Sequence, residues 1–485
     1  MRKVKVRTLY LIAIIVGGLV GLATKSTYAM FTASAEIDNP ICMSTNLTSE
    51  EETIETMEVV VTAGEKKIVP VTINNTSTNT VGYSVWYTSP SDEVEIGIKL
   101  SNSDSSNSTG TISSNGSKKV YVQIINNSLS SVTITLGVIS NKTSNDMTLI
   151  PNTELDFSVN LVTYIKNLYT NATKTTTTVN SVTYNLAPSE GLMNDRKGSM
   201  STGIDAGNIR YYGANPNNYI YFNCSDYSNQ SSDTCETWRI IGVFDGKVKI
   251  MRGSVIGSYS WDSSADSINS GYGVNEWSQA DLMKLLNGGY ETEIVGGSLY
   301  WNAKSGTCYN GSKNATTACN FTSTGLKNDT TRNMIAETTY YTRGHNDNSI
   351  YVDAMYDKER VSGTVITGVT PTRTLTWTGK IAIPYPSDYG YAADLSLCQQ
   401  QLSSYSDATC TANNWMKEIV APNYGWLLTP SSGSADSAWG VYSSGDVYRY
   451  NAYNAFGVVP MFSLTSELGI VAGTGTDSDP YQLYV

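Results

Sequence analysis

Short runs of alternating or β-branched character recur between residues 36 and 165: Glu58 to Thr62, Ile68 to Ile73, Tyr83 to Tyr87, Val94 to Leu100, Val120 to Ile125, Val132 to Leu136 and Leu155 to Leu161. A period of two places every second side chain on one face, so each run predicts a short strand with a buried side. Strands this short, separated by turn residues, predict an Ig-like β-sandwich over 36–165. Ala63-Gly-Glu-Lys66 suits a hairpin connection, and Asn74-Asn-Thr-Ser-Thr-Asn79 a polar loop. The apolar stretch from Leu161 to Tyr169 predicts one or two helical turns. The threonine run from Thr170 to Thr178 has little to bury, which predicts a linker over 166–182.

The remainder, 183–485, reads as one larger module with mixed periodicity. Tyr219 to Phe222 and Trp238 to Phe244 predict strands, and Asp245-Gly246 predicts a tight turn into Lys247 to Arg252. Ser278-Gln-Ala-Asp281 resembles a capping box ahead of Leu282, Leu285 and Leu286, which share one helical face, and Gly288-Gly289 ends that element. A second helix is expected from Gly325 to Tyr340. Near the end, apolar runs separated by Gly, Asn and Ser turns carry tyrosines and asparagines crowded between Val447 and Phe456. Together these elements predict a mainly β chain with an α+β C-terminal part.

Composition agrees with folded domains, because 40% of the residues are apolar and only 15% charged. At 485 residues the chain exceeds what one core usually serves, so more than one domain is expected. A net charge of −11 without a basic stripe argues against a nucleic-acid partner. The basic start Met1-Arg-Lys-Val-Lys-Val-Arg7, followed by an apolar run from Leu9 to Ala23, predicts a signal peptide or N-terminal membrane segment over 1–35. That run is shorter than the roughly 20 residues that span a bilayer, which favours cleavage. If retained, the segment is the route to membrane attachment.

Six cysteines fall into three local pairs at closely similar spacings: Cys224 and Cys235, Cys308 and Cys319, Cys398 and Cys410. None has the CxxC spacing of a zinc site, so behind a signal peptide they read as disulfides, with crossed pairings still open. Cys42 is left over. A secreted or cell-surface location follows.

Chemistry is sparse. The single histidine, His345, lies in a polar loop and reads as solvated, which leaves no base for a Ser-His-Asp or Cys-His arrangement. Paired carboxylates cleave glycosides without histidine, and Asp262, Glu276 and Asp394 are the candidates. Asp477-Ser-Asp479 lacks the length of a calcium loop, and Gly473-Thr-Gly475 lacks a dinucleotide fingerprint, so a closing turn is expected there. No metal and no cofactor are expected. Rigid amphipathic rings beside adaptable amides suit a surface that binds with little entropy loss. The candidate ligand-binding residues are therefore Trp439, Tyr442, Tyr448, Arg449, Tyr450, Asn451, Tyr453 and Asn454.

Tyr424-Gly-Trp-Leu-Leu-Thr-Pro430, Gly440-Val-Tyr-Ser-Ser-Gly445 and Phe456-Gly-Val-Val-Pro460 resemble the Trp-Leu-Arg-Ser-Pro, Val-x-x-x-Gly and Gly-Val-Arg-Pro series of a family of uncharacterised secreted proteins from Gram-positive gut bacteria. Trp238-Arg-Ile-Ile-Gly242, Asn275-Glu-Trp277 and the tail Gly473 to Tyr481 are similar to further parts of its pattern. The resemblance covers about residues 205–485 and implies a C-type-lectin-like fold. Leu428 and Val459 replace the family's arginines, and the Glu-Pro-Asn or Gln-Pro-Asp triplet of calcium-dependent lectins is absent. The start of the chain, with Thr27-Tyr-Ala-Met-Phe31, also resembles secreted fibre proteins of biofilms. The expectation is a non-enzymatic adhesin or receptor for a host or bacterial surface glycan or protein. A matrix-fibre subunit and a carbohydrate-active enzyme are the alternatives.

Overall fold

β-branched runs that alternate in burial form two sheets in the first half of the chain. The structure, a computed structural model, describes residues 43–47, 54–63, 65–98, 107–140, 148–153, 155, 159–197, 207–263, 272–311, 314–466 and 468–484. The N-terminal segment 1–35 and Cys42 lie outside the described residues. The chain divides into two units, Met1–Ser158 and Val159–Val485. Strand content is 39% and helix 14%, as the mainly β expectation required.

In the first unit one sheet runs Met43–Leu47, Lys66–Asn75, Ser117–Asn126, Val94–Ile98. The other runs Ile54–Val61, Val132–Ser140, Val81–Thr88, Thr109–Ile112, with Thr148–Leu149 also on Val81–Thr88. Val69, Val71 and Ile73 from the first sheet share a core with Ile134, Leu136 and Val138 from the second. Alternate residues point inward, as the period of two demands. The strand expected over Leu155 to Leu161 does not join this sandwich: Val159–Asn160 pairs with Gly469–Ala472 in the second unit, and Leu161 opens a helix.

Two buried asparagines close opposite ends of this sandwich. The Asn126 amide donates to the carbonyls of Val61, Thr62 and Ser130 at 2.9–3.0 Å, and its Oδ1 accepts from the backbone and hydroxyl of Ser128. Asn75 repeats the arrangement with the carbonyls of Asn79, Ile112 and Ser113 and with Ser77. Each side chain thus ties a strand end of one sheet to a strand end of the other. Asn126→Ala would leave buried carbonyls unpaired and is expected to lower the stability of this unit by about 2–3 kcal/mol in denaturant unfolding.

The second unit begins earlier than the sequence implied, and the expected linker is structured. Leu161, Ile165 and Tyr169 recur every four residues and bury one face of the helix Leu161–Asn171, which Asn160 caps by accepting from the Thr163 amide. Thr175–Val179 then pairs with Val182–Ala187 through a two-residue turn, Asn180 and Ser181, both at positive φ. Threonine is β-branched and suits an exposed edge strand, which is the reading that composition alone concealed.

The main sheet continues through Leu192–Asn194, Ile209–Tyr211, Glu236–Phe244, Lys247–Arg252 and Met461–Ser463, with Tyr219–Phe222 also on Glu236–Phe244. The expected hairpin is present: Asp245 and Gly246 both take positive φ between its strands. Gly242 sits at a bulge, where a Cβ would press into the Ile209 carbonyl. A second sheet is ordered Ser258–Ser260, Ala455–Gly457, Gly425–Pro430, Ser437–Val441, Val447–Asn451. Every residue of Gly425–Pro430 is buried. The indole of Trp426 donates to the Tyr259 carbonyl, and that of Trp261 donates to the Leu427 carbonyl. This exchange ties the end of Ser258–Ser260, and Trp261 just after it, to Gly425–Pro430.

Two helix expectations change. Asp281–Leu286 buries Leu282, Leu285 and Leu286 as expected, but Ser278 belongs to a 3₁₀ turn capped by Glu276 and makes no capping box. The stretch from Gly325 to Tyr340 holds a short helix, Asp329–Asn333, and then the strand Thr338–Tyr341. Thr338, Thr339 and Tyr340 favour the pleated conformation and find a partner in Thr376–Gly379. The three cysteine pairs join locally: Cys224–Cys235, Cys308–Cys319 and Cys398–Cys410. Such bonds fit an oxidising, extracellular compartment. Among the described residues, no helix is long and apolar enough to cross a membrane.

A buried ion network joins this sheet to the helix Pro386–Tyr391. Arg210 pairs with Asp195 and, at 2.9 Å, with Asp388, which Lys249 approaches at 3.3 Å. Burial pushes Asp388 upward, but Lys249, Arg210 and Arg360 override it and hold its carboxyl down at about 2. Asp388→Asn is expected to cost about 3–5 kcal/mol near neutrality. An unfolded aspartate titrates at about 3.9, so the ionised Asp388 stabilises fully above that value and progressively less as pH falls toward 2. The stability gap between the parent and Asp388→Asn, measured by denaturant unfolding, should therefore shrink between pH 6 and pH 2.5.

Candidate functional site

Strand alternation decides where the crowded tyrosines point. Ser437–Val441 pairs with the edge strand Val447–Asn451 in the register Gly440↔Tyr448, Trp439↔Arg449, Ala438↔Tyr450. Tyr448 and Tyr450 share one face, opposite the small residues Gly440 and Ala438, which leave room for the rings. Tyr442 leaves the end of the hairpin and lies 5.4 Å from the Tyr448 ring and 5.0 Å from the Tyr450 ring. Tyr450 in turn meets Phe456 at 4.7 Å, and Tyr424 stacks on Phe456 at 5.1 Å and approaches Tyr442 at 5.4 Å.

The result is a continuous ring layer over one side of the sheet edge, underlain by Trp426 against Phe456. Tyr442, Tyr448 and Tyr450 are half-buried, and Tyr424 is 40% exposed. Edge and tilted contacts of this kind add to area burial and fix the rings in place. The Tyr448 hydroxyl reaches the Ser403 carbonyl at 3.5 Å. Burial, with the Tyr442 hydroxyl beside it, raises the Tyr450 phenol far above its usual range. The Tyr450 phenol therefore stays neutral.

The eight expected site residues do not form one surface. Trp439 and Arg449 lie on the opposite face of the hairpin, because they fall at the other parity of the strand. Trp439 is fully buried and donates its indole N–H to the His345 carbonyl. Arg449 lies 5.8 Å from the Trp439 ring and donates to Asn348 Oδ1 at 3.2 Å. Asn451 ends the strand opposite Ser437, and Tyr453 and Asn454 occupy the turn beyond it. Asn451 Oδ1 accepts from the Ser437 hydroxyl, its carbonyl accepts from the Asn454 amide, and Tyr453 packs on Tyr272 at 5.6 Å.

His345 departs from the solvated reading. It is half-buried, and its ring stacks parallel to Trp439 at 6.4 Å. Burial lowers its pKa, and Lys358 and Arg449 lower it further. The carboxylate candidates are engaged as structural acceptors. Asp262 receives the amides of Val274 and Asp281, Glu276 those of Ser278 and Thr374, and Asp394 the amide and hydroxyl of Ser396. Asp479 receives the Thr474 amide and closes the turn expected before the last strand. Among the described residues, no group of three or more His, Cys, Asp or Glu is placed to hold a metal ion.

Tyr424 and Phe456 complete the ring layer although the sequence reading left them out. Both stand inside the quoted motifs, yet their approach to Tyr450 depends on strand order: Gly425–Pro430 lies between Ala455–Gly457 and Ser437–Val441. No local signal carries that order. Gly440 is the position on which the layer rests, since a Cβ there would meet the Gly425 carbonyl at 2.8 Å and the Tyr450 ring at 3.4 Å. Gly440→Val is expected to destabilise the unit by about 1–3 kcal/mol and to change the near-ultraviolet circular dichroism of the tyrosines.

No protein-family model matches the chain, and no curated protein matches it. Among solved structures, it has a slight likeness to PliG of Aeromonas hydrophila, a periplasmic lysozyme inhibitor of g-type lysozyme. The match is 10% identical, covers 21% of this chain and 99% of that one, and has a TM-score of 0.12. A likeness that slight carries no argument about fold or function.

Proposed function

We propose that the protein is a non-enzymatic extracellular recognition protein, an adhesin or receptor, whose second unit is a lectin-like module. Its binding face is the ring layer of Tyr424, Tyr442, Tyr448 and Tyr450. The observation that carries this reading is the part-exposed, interlocked aromatic layer on an edge hairpin. Rings already held by their neighbours lose little entropy on binding, and an apolar body with a hydroxyl tip suits both sugar faces and protein surfaces. The three disulfides support an extracellular setting. The partner is a host or bacterial surface glycan or protein. Arg449 and Trp439, on the other face, are left out of this reading.

Screening the full chain against glycan and surface-protein arrays should reveal a ligand. Replacing Tyr424 and Tyr448 together by Ala should weaken it at least about tenfold, the loss of anchors worth more than ~1.4 kcal/mol, in variant protein that circular dichroism shows to be folded at the assay temperature. Full binding by that double variant would remove the ring layer as the site.

A further inference from the structure

A cavity of about 650 Å³ opens at a different place in the same unit, lined among others by Lys247, Lys249, Arg360, Tyr340, Tyr341 and Tyr385. Lys247 and Lys249 are two apart on the strand Lys247–Arg252, so both side chains leave the same face of the sheet. The strand Thr338–Tyr341 contributes all four of its residues to the lining, and Ser463 adds a further hydroxyl. The base is built of cations held on rings. Lys249 Nζ lies 3.8 Å from the Phe244 ring centroid, and the Arg360 guanidinium lies 4.0 Å from that of Tyr356 and 4.3 Å from that of Tyr385.

The cations are unequally satisfied. Arg360 pairs with the buried Glu359, and Lys197 at the rim pairs with Asp357 at 2.8 Å. Lys249 shares Asp388 with Arg210 and meets both carboxylate oxygens only at 3.3 Å. Among the described residues, Lys247 has no ion-pair partner. Burial depresses Lys249 to about 8, against the attraction of Asp388. Its charge is desolvated without full compensation, which an incoming anion would supply.

We propose that this cavity is a binding site for a carboxylate-bearing sugar unit, with Lys247 and Lys249 receiving the carboxylate and the Thr338–Tyr341 strand receiving ring and hydroxyls. Size and lining agree with this ligand class: the volume lies within the usual range for small-molecule clefts, and convergent cations sit beside hydroxyls and aromatic faces. The site is separate from the ring layer and does not depend on it.

The pH behaviour follows from the same geometry. The groups facing Lys249 are Asp388, Arg210, Arg360 and Tyr385, and all four keep their charge state between pH 7 and pH 9. The other charged groups of the wall are Arg196, Lys197, Lys247, Asp245, Glu337 and Asp357. Lys249 goes from about nine-tenths to about one-tenth protonated over that range, so carboxylate affinity should fall about tenfold.

Calorimetric titration of the full chain with sodium D-glucuronate, D-glucose and inorganic phosphate tests the assignment. Glucuronate should bind more tightly than either control. Lys247→Ala and Lys249→Met, each with a melting temperature near that of the parent, should weaken it at least tenfold. Near pH 8 the binding heat should vary with the buffer's ionisation enthalpy, because the carboxylate draws a proton onto Lys249. Equal binding of glucose and glucuronate, tighter binding of phosphate than of glucuronate, no binding at 10-mM-scale ligand, or unchanged binding in folded lysine variants would each overturn the proposal. Lys247→Ala keeps the test valid if Lys249→Met does not fold.

Discussion

The buried contact between Arg210 and its two carboxylates is the constraint on which the second unit is organised. Arg210 lies on a central strand of the main sheet, Asp195 follows the neighbouring strand Leu192–Asn194, and Asp388 belongs to the helix Pro386–Tyr391. Charges this deep are tolerable only when paired in good geometry, so the sheet and the helix can meet in few ways. Phe244 and Tyr391 flank the guanidinium at 4.5 and 4.6 Å, so apolar rings complete the shell that the carboxylates begin. Lys249 enters the same network from Lys247–Arg252, two strands along the sheet, and it also lines the cavity. Stability and the shape of that cavity thus rest on the same few atoms.

The ring layer depends on a different constraint, the twofold alternation of a strand. Trp439, Arg449, Val441 and Val447 face one way, whereas Tyr448 and Tyr450 face the other across Ala438 and Gly440. A stretch that reads as one polar-aromatic patch in sequence is therefore split by its own backbone. One parity packs a buried tryptophan beneath a histidine, and the other builds the surface offered for recognition. The adjoining asparagines serve the turn: the Asn451 carbonyl accepts from the Asn454 backbone amide, and Asn451 Oδ1 accepts from the Ser437 hydroxyl across the hairpin.

Much of the architecture was legible from local signals. Six strands of the sandwich, the Asp245-Gly246 hairpin, the Leu282, Leu285 and Leu286 helix face and the local cysteine pairs each depend on residues near one another in the chain. Threonine misled where composition was read without shape: the run Thr175–Val179 is polar yet β-branched, and a strand formed because Val182–Ala187 follows it across a two-residue turn. The helix expected to reach Tyr340 failed for a related reason, since a partner strand at Thr376–Gly379 outweighed a weak helical period.

By itself the sequence determined the mainly β class, the oxidised cysteine pairs and the closely spaced, tyrosine-rich strands near the end, because periodicity, turn chemistry and short loops are local properties. Tertiary structure alone decided that Tyr424 and Phe456 join Tyr450, that His345 lies against Trp439, and that Lys247 and Lys249 face the strand Thr338–Tyr341. Each of these meetings joins residues brought together by strand order or helix packing. Contacts of that kind are set by which surfaces the whole chain can bury at once, and no window of sequence contains that information.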